Sequence, residues 1–127
     1  MSECTESKKK LAEGLAACGK AIEALGDETR IRIVLSLLEG EEGGMRVGEI
    51  AQKTHLSRPS VSRQLRVLSG AGLVSVYKAG TKSFYYMDAN VALWEKLASL
   101  FADVYETVKI AADEGYPVPC PIKEREE

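Results

Sequence analysis

The side chains best suited to binding a polyanion lie together in one stretch of this sequence. Between Glu49 and Asp88 the chain runs for 38 residues without an aspartate or glutamate, and six lysines and arginines lie within that stretch. The rest of the chain holds 11 basic and 19 acidic residues, so the net charge of −2 conceals a basic segment in an acidic protein. Cationic side chains bind phosphate oxygens, whereas a carboxylate on the same face repels them. This segregation predicts a surface that docks on phosphates, with a solvated basic patch as the alternative.

The segment SRPSVSRQLRVL (57–68) arranges arginine and serine on one side of a predicted helix. Val61 and Leu65 have the spacing of a buried stripe, so Arg63 points away from the core. Arginine can bind a guanine edge through two hydrogen bonds, and serine hydroxyls bind bases or phosphates. A second basic group follows at 78–82. The predicted DNA-binding residues are Ser57, Arg58, Ser60, Ser62, Arg63, Arg66, Lys78, Thr81 and Lys82.

Three thiols are the other reactive groups. Cys4, Cys18 and Cys120 form an odd set without metal-ligand spacing, which argues against a disulfide framework. Cys18 lies on an apolar stripe and is expected to be buried, whereas Cys120 lies between prolines and is expected to be exposed and oxidisable. A thiol sensor built from Cys120 with Cys18 or Cys4 remains an open alternative. Since His55 is the single histidine, no nucleophile and base can be paired, and we expect neither an enzyme nor a cofactor.

Five helices and one hairpin are predicted to position these side chains. Apolar periodicity and capping residues predict helices at about 7–25, 28–39, 45–54, 57 to 70 or 72, and 90–113. On the second helix, the residues expected to face inward are Ile31, Val34, Leu35 and Leu38. LVSVYK (73–78) and KSFYYMD (82–88) are rich in β-branched and aromatic residues and flank a short turn, which predicts a hairpin.

The order of these elements predicts an α+β, mainly helical fold, a winged helix-turn-helix. We expect one DNA-binding and dimerisation domain at 1–115, with the helix-turn-helix at about 46–70 and the wing at about 73–88. Residues 116–127 are predicted to be an extended tail. No apolar run is long enough for a membrane span and no signal-type segment is present, so we expect a cytoplasmic protein without a membrane partner.

The runs ALGDETRIRIVLSLLEG (24–40) and EIAQKTHLSRPSVSRQLRVLSGAGLVSVYKAGTKSFYYMD (49–88) resemble the ArsR/SmtB family of bacterial winged-helix repressors. The similarity covers roughly residues 20–110. It implies a homodimer, built largely by the first and last helices, that binds a double-stranded DNA operator and releases it when an effector binds. It also implies that Ser60, Ser62 and Arg63 contact bases or phosphates.

The sequence departs from that family at both of its well-known metal sites. Arsenic and heavy-metal members carry Cys-Val-Cys in the third helix, where this chain has Arg46 and Gly48 in place of the two thiolates. Zinc and nickel members carry histidine ligands on the last helix, which has none here. We therefore expect no metal site of these kinds, and the effector stays open between a metalloid, reactive sulfur, an organic ligand and none. The alternatives are a MarR-like regulator, or a winged-helix protein-interaction module that does not bind DNA.

Overall fold

The computed structural model describes residues 3–115, and side chains from Glu6 onward. Its elements, in chain order, are α1 (Glu3–Leu25), α2 (Glu28–Glu39), α3 (Val47–Thr54), α4 (Arg58–Gly70), β1 (Val74–Ala79), β2 (Lys82–Met87) and α5 (Val91–Asp113). The described residues fall into two units, one of residues 3–18 and 91–115 and the other of residues 19–90. Five helices and one antiparallel hairpin confirm the predicted mainly helical, winged helix-turn-helix class.

In the unit of residues 19–90, the core lies among α2, α3, α4 and the start of β1. Its largest fully buried side chains are Ile33, Ile50, Val61, Leu65, Leu68 and Leu73. The predicted stripe of α4 is confirmed, because Val61, Leu65 and Leu68 are all buried. Burial of such aliphatic side chains is worth roughly 1.5–3 kcal/mol each, so this cluster holds the three helices together.

The inward face of α2 differs from the predicted one. Val34 is buried as expected, but Ile31, Leu35 and Leu38 are exposed, Leu38 by 64%. The buried residues of the helix are Ile33, Val34, Ser36 and Leu37. The apolar residues of this helix cover more than half of its circumference, so two faces have suitable spacing. Ser36 can be buried because its hydroxyl donates a 2.7 Å hydrogen bond to the carbonyl oxygen of Ile33.

The third helix begins at Val47 rather than at Met45, where the sequence had placed it. Met45 instead forms a bridge with Tyr85 of β2, in which each backbone N–H donates to the other residue's carbonyl at 2.8 Å. These two bonds require an extended backbone, which is incompatible with a helical turn. Arg46 is consequently the N-cap, and its N–H donates to Glu49 Oε1 at 2.9 Å.

The wing is a hairpin with a two-residue loop. β1 and β2 pair from Val74 opposite Met87 to Ala79 opposite Lys82, which leaves Gly80 and Thr81 as the turn. Gly80 has φ +66, and a two-residue turn with one positive φ at its first position requires glycine there. Two aromatic contacts, of Tyr77 with Phe84 and with Tyr86, line one face of the hairpin. The predicted hairpin is confirmed.

In the other unit, the first part of α1 packs along α5. Leu97 and Leu100 of α5 are buried, and a Cβ on Gly14 would lie 2.9 Å from Leu100 Cδ1, so this glycine lets the leucine approach closely. Lys10 and Asp103 form an ion pair at 3.4 Å. Between residues 3 and 115 there is no helix of the length and apolarity needed to cross a membrane.

A second apolar stripe on α5 is exposed. Phe101 and Val108 follow the buried Leu97 at steps of four and seven residues, but they are 57% and 55% exposed. Together with Trp94 and Tyr105 they recur at steps of three, four and seven residues, which places them on one side of the helix. α5 therefore carries both a buried stripe and an exposed apolar stripe, which we call the α5 stripe (Trp94, Phe101, Tyr105 and Val108).

Candidate nucleic-acid interface

Helix α4, the second helix of the helix-turn-helix, is capped at both ends. Ser57 is its N-cap, and the Ser57 hydroxyl oxygen accepts a 3.2 Å hydrogen bond from the backbone N–H of Ser60. Pro59 lies in the first turn, where its missing N–H leaves no helical bond unmade. At the other end, Leu73 N–H donates to the carbonyl of Leu68 and Gly72, at φ +81, donates to that of Ser69. This is a Schellman stop, which requires the left-handed residue that glycine supplies.

The outward side of α4 presents the predicted cations. Arg58, Arg63 and Arg66 are exposed, while Ser60 and Ser62 are half-buried between them and the core. Within residues 6–115 only two ion pairs form, Lys10–Asp103 and Lys53–Glu39, and neither includes these arginines. The three guanidinium groups therefore have all of their charge available to an external anion.

The wing carries the second basic group at and beside its tip. Lys78, Thr81 and Lys82 are exposed. Lys78 lies opposite Ser83 and Ala79 opposite Lys82, and side chains alternate between faces along a strand. Lys78 and Lys82 are thus on opposite faces of the hairpin, with Thr81 at its end.

The wing is anchored to the loop that precedes α3. In addition to the bridge between Met45 and Tyr85, the Tyr77 hydroxyl donates a 2.6 Å hydrogen bond to the carbonyl oxygen of Gly43. At the base of the hairpin, the Ser75 hydroxyl donates to the Asp88 carboxylate, and Asp88 N–H donates to the carbonyl of Leu73 at 3.0 Å. Asp88, the first acid after the basic stretch, is therefore held at the base of the wing, away from its tip.

A side-chain network that was not predicted holds α4 against the end of α1. Arg30 Nε donates to the carbonyl of Ala24 at 2.6 Å, Nη2 to that of Glu23 at 3.3 Å, and Nη1 to Gln64 Oε1 at 2.9 Å. Its backbone N–H donates to the N-cap carboxylate of Asp27 at 3.1 Å. The two carbonyls belong to the last turn of α1, where helical partners are missing. Gln64 follows Arg63 in α4, so Arg30 connects α1, α2 and α4.

A second arginine of α2 holds the other helix of the helix-turn-helix. The Arg32 guanidinium donates to the carbonyl oxygen of Thr54, the last residue of α3. A cation at a helix C-terminus complements the helix dipole. His55 follows in the left-handed region at φ 60 and turns the chain toward α4. The connection between α3 and α4 is thereby fixed by a side chain and by backbone geometry.

The predicted thiol residues are only partly within the described structure. Cys18 is a free thiol and is 2% exposed, which confirms its expected burial. The side chain of Cys4, and all of Cys120 with the predicted tail at 116–127, lie outside the described residues. Arg46 and Gly48 stand where metal-binding members of the similar family carry two cysteines. Arg46 is exposed at the start of α3, and Gly48 lies beneath Arg58. Between Glu6 and Gly115, no three metal-ligating side chains lie close enough together to hold a metal ion.

A family profile and individual relatives both match this chain to bacterial transcriptional regulators. The profile of the family described as bacterial regulatory protein, arsR family, matches residues 27–76. Over 69 residues the chain is 44% identical to the HTH-type transcriptional regulator Rv2034 of Mycobacterium tuberculosis, covering 54% of this chain and 62% of that protein. It therefore spans less than two thirds of that relative. Over 68 residues it is 37% identical to the transcriptional repressor SdpR of Bacillus subtilis, covering 54% of this chain and 72% of SdpR.

Among solved structures, the chain is similar to the homodimeric winged helix-turn-helix DNA-binding domain of Mb0332 from Mycobacterium bovis. The TM-score is 0.52 at 25% sequence identity, and the alignment covers 91% of this chain and 90% of that one. The alignment therefore extends well beyond residues 27–76, the part that the family profile matches.

Proposed function

This chain belongs to the ArsR family of bacterial regulatory proteins, and from that premise we propose that it is a repressor that binds a double-stranded DNA operator as a homodimer. Membership confirms the resemblance seen in the sequence and makes the MarR-like alternative wrong. The matching relatives are named as transcriptional regulators and repressors, which are not enzymes, so the expectation of a non-enzymatic protein is confirmed.

The observation that carries the proposal is a set of cations without protein partners. Within the described residues, neither the arginines of α4 nor the lysines of the wing form an ion pair, although the chain as a whole has more acids than bases. Lys53, the remaining cation of the acid-free stretch, is paired with Glu39 at 3.6 Å. A protein-interaction module has no reason to keep five cations of one acid-free stretch exposed and unpaired. A DNA-binding surface does, because each phosphate contact releases a condensed counterion.

The geometry assigns different tasks to the helix and the wing. Arg63 lies opposite the buried stripe of α4 and is proposed to read base edges in the major groove, with Ser60 and Ser62 beside it. Lys78 and Lys82 are proposed to bind phosphates, which position the protein without reading sequence. Because they lie on opposite faces of the hairpin, a wing inserted edge-on can reach the two backbones that border one groove.

The proposed dimer rests on the α5 stripe. Trp94, Phe101, Tyr105 and Val108 remain exposed along a helix of 23 residues, and a continuous apolar surface of this kind marks an association site. A second copy of this chain is the proposed occupant, since the similar Mb0332 domain is homodimeric. A two-fold dimer predicts an imperfectly palindromic operator whose half-sites lie about 34 Å apart.

Release by an effector, and a cytoplasmic location where the chromosome is accessible, complete the proposal. Cys18 is too buried to react with a solute unless its surroundings open. If a thiol is the sensor, we propose that Cys120 is the reactive one. Operator binding by Cys120→Ser before and after treatment with arsenite, persulfide or peroxide tests this. An unchanged response makes the tail thiol a bystander and favours an organic effector or none.

The proposed function is tested by selection from a pool of random duplexes, followed by anisotropy titration of the enriched sequence. We expect an enriched palindrome, with tighter binding to it than to a scrambled duplex. The matched control is the variant Arg63→Ala, which should bind random DNA but lose preference for the palindrome. If the wild type binds no duplex at low salt, the repressor proposal is wrong and the interaction-module alternative is favoured.

A further inference from the structure

Gly48 and Arg58 come together across the helix-turn-helix. A Cβ built on Gly48 would lie 2.8 Å from Arg58 Nη2, 3.1 Å from Cζ and 3.5 Å from Nε. Gly48 is the second residue of α3 and Arg58 is the first residue of α4. The Arg58 guanidinium therefore lies against the backbone of the first turn of α3, in the space that any other residue would fill with a side chain.

We propose that Gly48 is a positioning residue for DNA binding: by lacking a side chain, it provides a seat on α3 from which Arg58 binds a phosphate. The inference rests on the proposed function and deepens it, since it names a residue that affects DNA affinity without contacting DNA through a side chain. No feature of the sequence pattern had marked Gly48 for this task.

The backbone of α3 does not itself require a glycine at this position. Gly48 is not among the residues with positive φ, so its conformation is open to any L-amino acid. Glycine is the poorest helix former after proline, and alanine is the best. The residue thus lowers the stability of a helix of only eight residues. The close approach of Arg58 gives a physical reason for the glycine, because the guanidinium occupies the space that a side chain at position 48 would fill.

Packing on Gly48 restricts the position of the Arg58 side chain, which no ion pair or side-chain hydrogen bond within residues 6–115 restrains. The side chain is exposed. All five of its N–H donors are available to phosphate oxygens. A free arginine loses much rotamer freedom when it binds, and a preformed position reduces that loss. Packing on Gly48 is expected to hold the guanidinium beside the N-terminus of α4, where the backbone also favours a phosphate.

Gly48→Ala separates this role from an ordinary structural one. The atoms that a methyl group would meet form the far end of a flexible side chain, so Arg58 can move aside without disturbing the core. The variant should therefore melt at a temperature about 1–4 °C higher, because alanine favours the helix. It should nevertheless bind DNA about three- to tenfold more weakly, because Arg58 loses its seat. A purely structural glycine would not shift stability and binding in opposite directions.

The experiment uses a fluorescently labelled 30-base-pair duplex of mixed sequence, because a phosphate contact does not require the operator. Anisotropy titrations and thermal melts compare the wild type with Gly48→Ala, Arg58→Ala and the double variant. We expect Arg58→Ala to weaken binding about tenfold or less, and Gly48→Ala to have no further effect in that background. Gly70→Ala is the matched control, because a Cβ there meets nothing within 4 Å. It should leave binding unchanged.

Two results overturn the inference while leaving the proposed function intact. One is wild-type affinity in Gly48→Ala while Lys82→Ala still weakens binding. The other is an equal loss from Gly48→Ala with and without the Arg58 side chain, which would place its effect elsewhere in α3. Failure of the wild type to bind any duplex would overturn the proposed function and this inference together.

Discussion

Two surfaces of this protein lack partners within the described chain, and they lack them for opposite physical reasons. The surface of α4 and the wing presents cations without carboxylates, whereas the α5 stripe presents four large apolar side chains without a cover. The first attracts a polyanion through charge, and its strength falls as salt rises. The second drives association by removing apolar area from water, which salt does not screen. One molecule therefore carries two association surfaces that can be perturbed separately.

The largest effect is expected from a charge placed on the α5 stripe. Phe101→Glu would bury a carboxylate without a partner in the dimer, at a cost of about 3–5 kcal/mol. Because Phe101 is 57% exposed in the protomer, the fold of the protomer should be unaffected. Sedimentation or light scattering should report a dimer dissociation constant at least about 100-fold higher, and operator affinity should fall because the two half-sites are no longer bound together.

Glu106→Gln serves as the control for that change. Glu106 is exposed on α5 at about 140° around the helix from Phe101, so it lies off the stripe. Its substitution should leave the dimer intact. A monomeric wild type at micromolar concentration, or a dimeric Phe101→Glu variant, would show that the α5 stripe is not the dimer interface.

The next prediction tests whether DNA binding by α4 depends on the hydrogen bonds of Arg30. Arg30→Met removes the donors that hold Ala24, Glu23 and Gln64, and hydrogen bonds of charged groups are worth about 1.5–3 kcal/mol. We expect a loss of that size in the free energy of unfolding, measured in urea. Operator binding should weaken more than binding to random DNA, since the orientation of α4 is needed only for reading bases. Equal losses for both duplexes would reduce Arg30 to a general stabilising residue.

A smaller pair of effects divides the charged surface itself. Arg63→Ala should cost about 1–3 kcal/mol on the selected operator and little on random DNA, because it removes a base contact. Lys82→Ala should instead weaken both duplexes by a similar few-fold factor, because it removes a phosphate contact. Titrations against the two duplexes measure the ratio of operator affinity to random-DNA affinity for each variant. If Lys82→Ala changed the preference for the operator, the division between a reading helix and a positioning wing would be wrong.

The contrast between α4 and α2 shows what can be predicted from the sequence. In α4 the polar and apolar residues are cleanly separated, so Val61, Leu65 and Leu68 define a single inward face. In α2 the apolar residues cover more than half of the helix circumference, and the choice of Ile33 and Leu37 over Leu35 and Leu38 depends on tertiary contacts. The start of α3 was misplaced for a related reason, since Met45 is extended only because Tyr85, forty residues later, pairs with it.

The candidate site divides in the same way. The exposed arginines and lysines could be predicted from the sequence, because the separation of basic from acidic residues is visible along the chain. The residues that position them could not, because Arg30 acts on Gln64 across 34 residues and Gly48 acts through a side chain of another helix. A glycine and an arginine have many ordinary uses, and only the distances between atoms distinguish these two.

The central claim is that α4 and the wing bind DNA through unpaired cations, and its most direct test is the salt dependence of duplex binding. Affinity of the wild-type protein is measured by fluorescence anisotropy over a series of salt concentrations. If each protomer neutralises three to four phosphates, the logarithm of the association constant should fall against the logarithm of salt with a slope of about −5 to −7 for a dimer. Binding with a slope near zero, or no binding at low salt, would contradict the account.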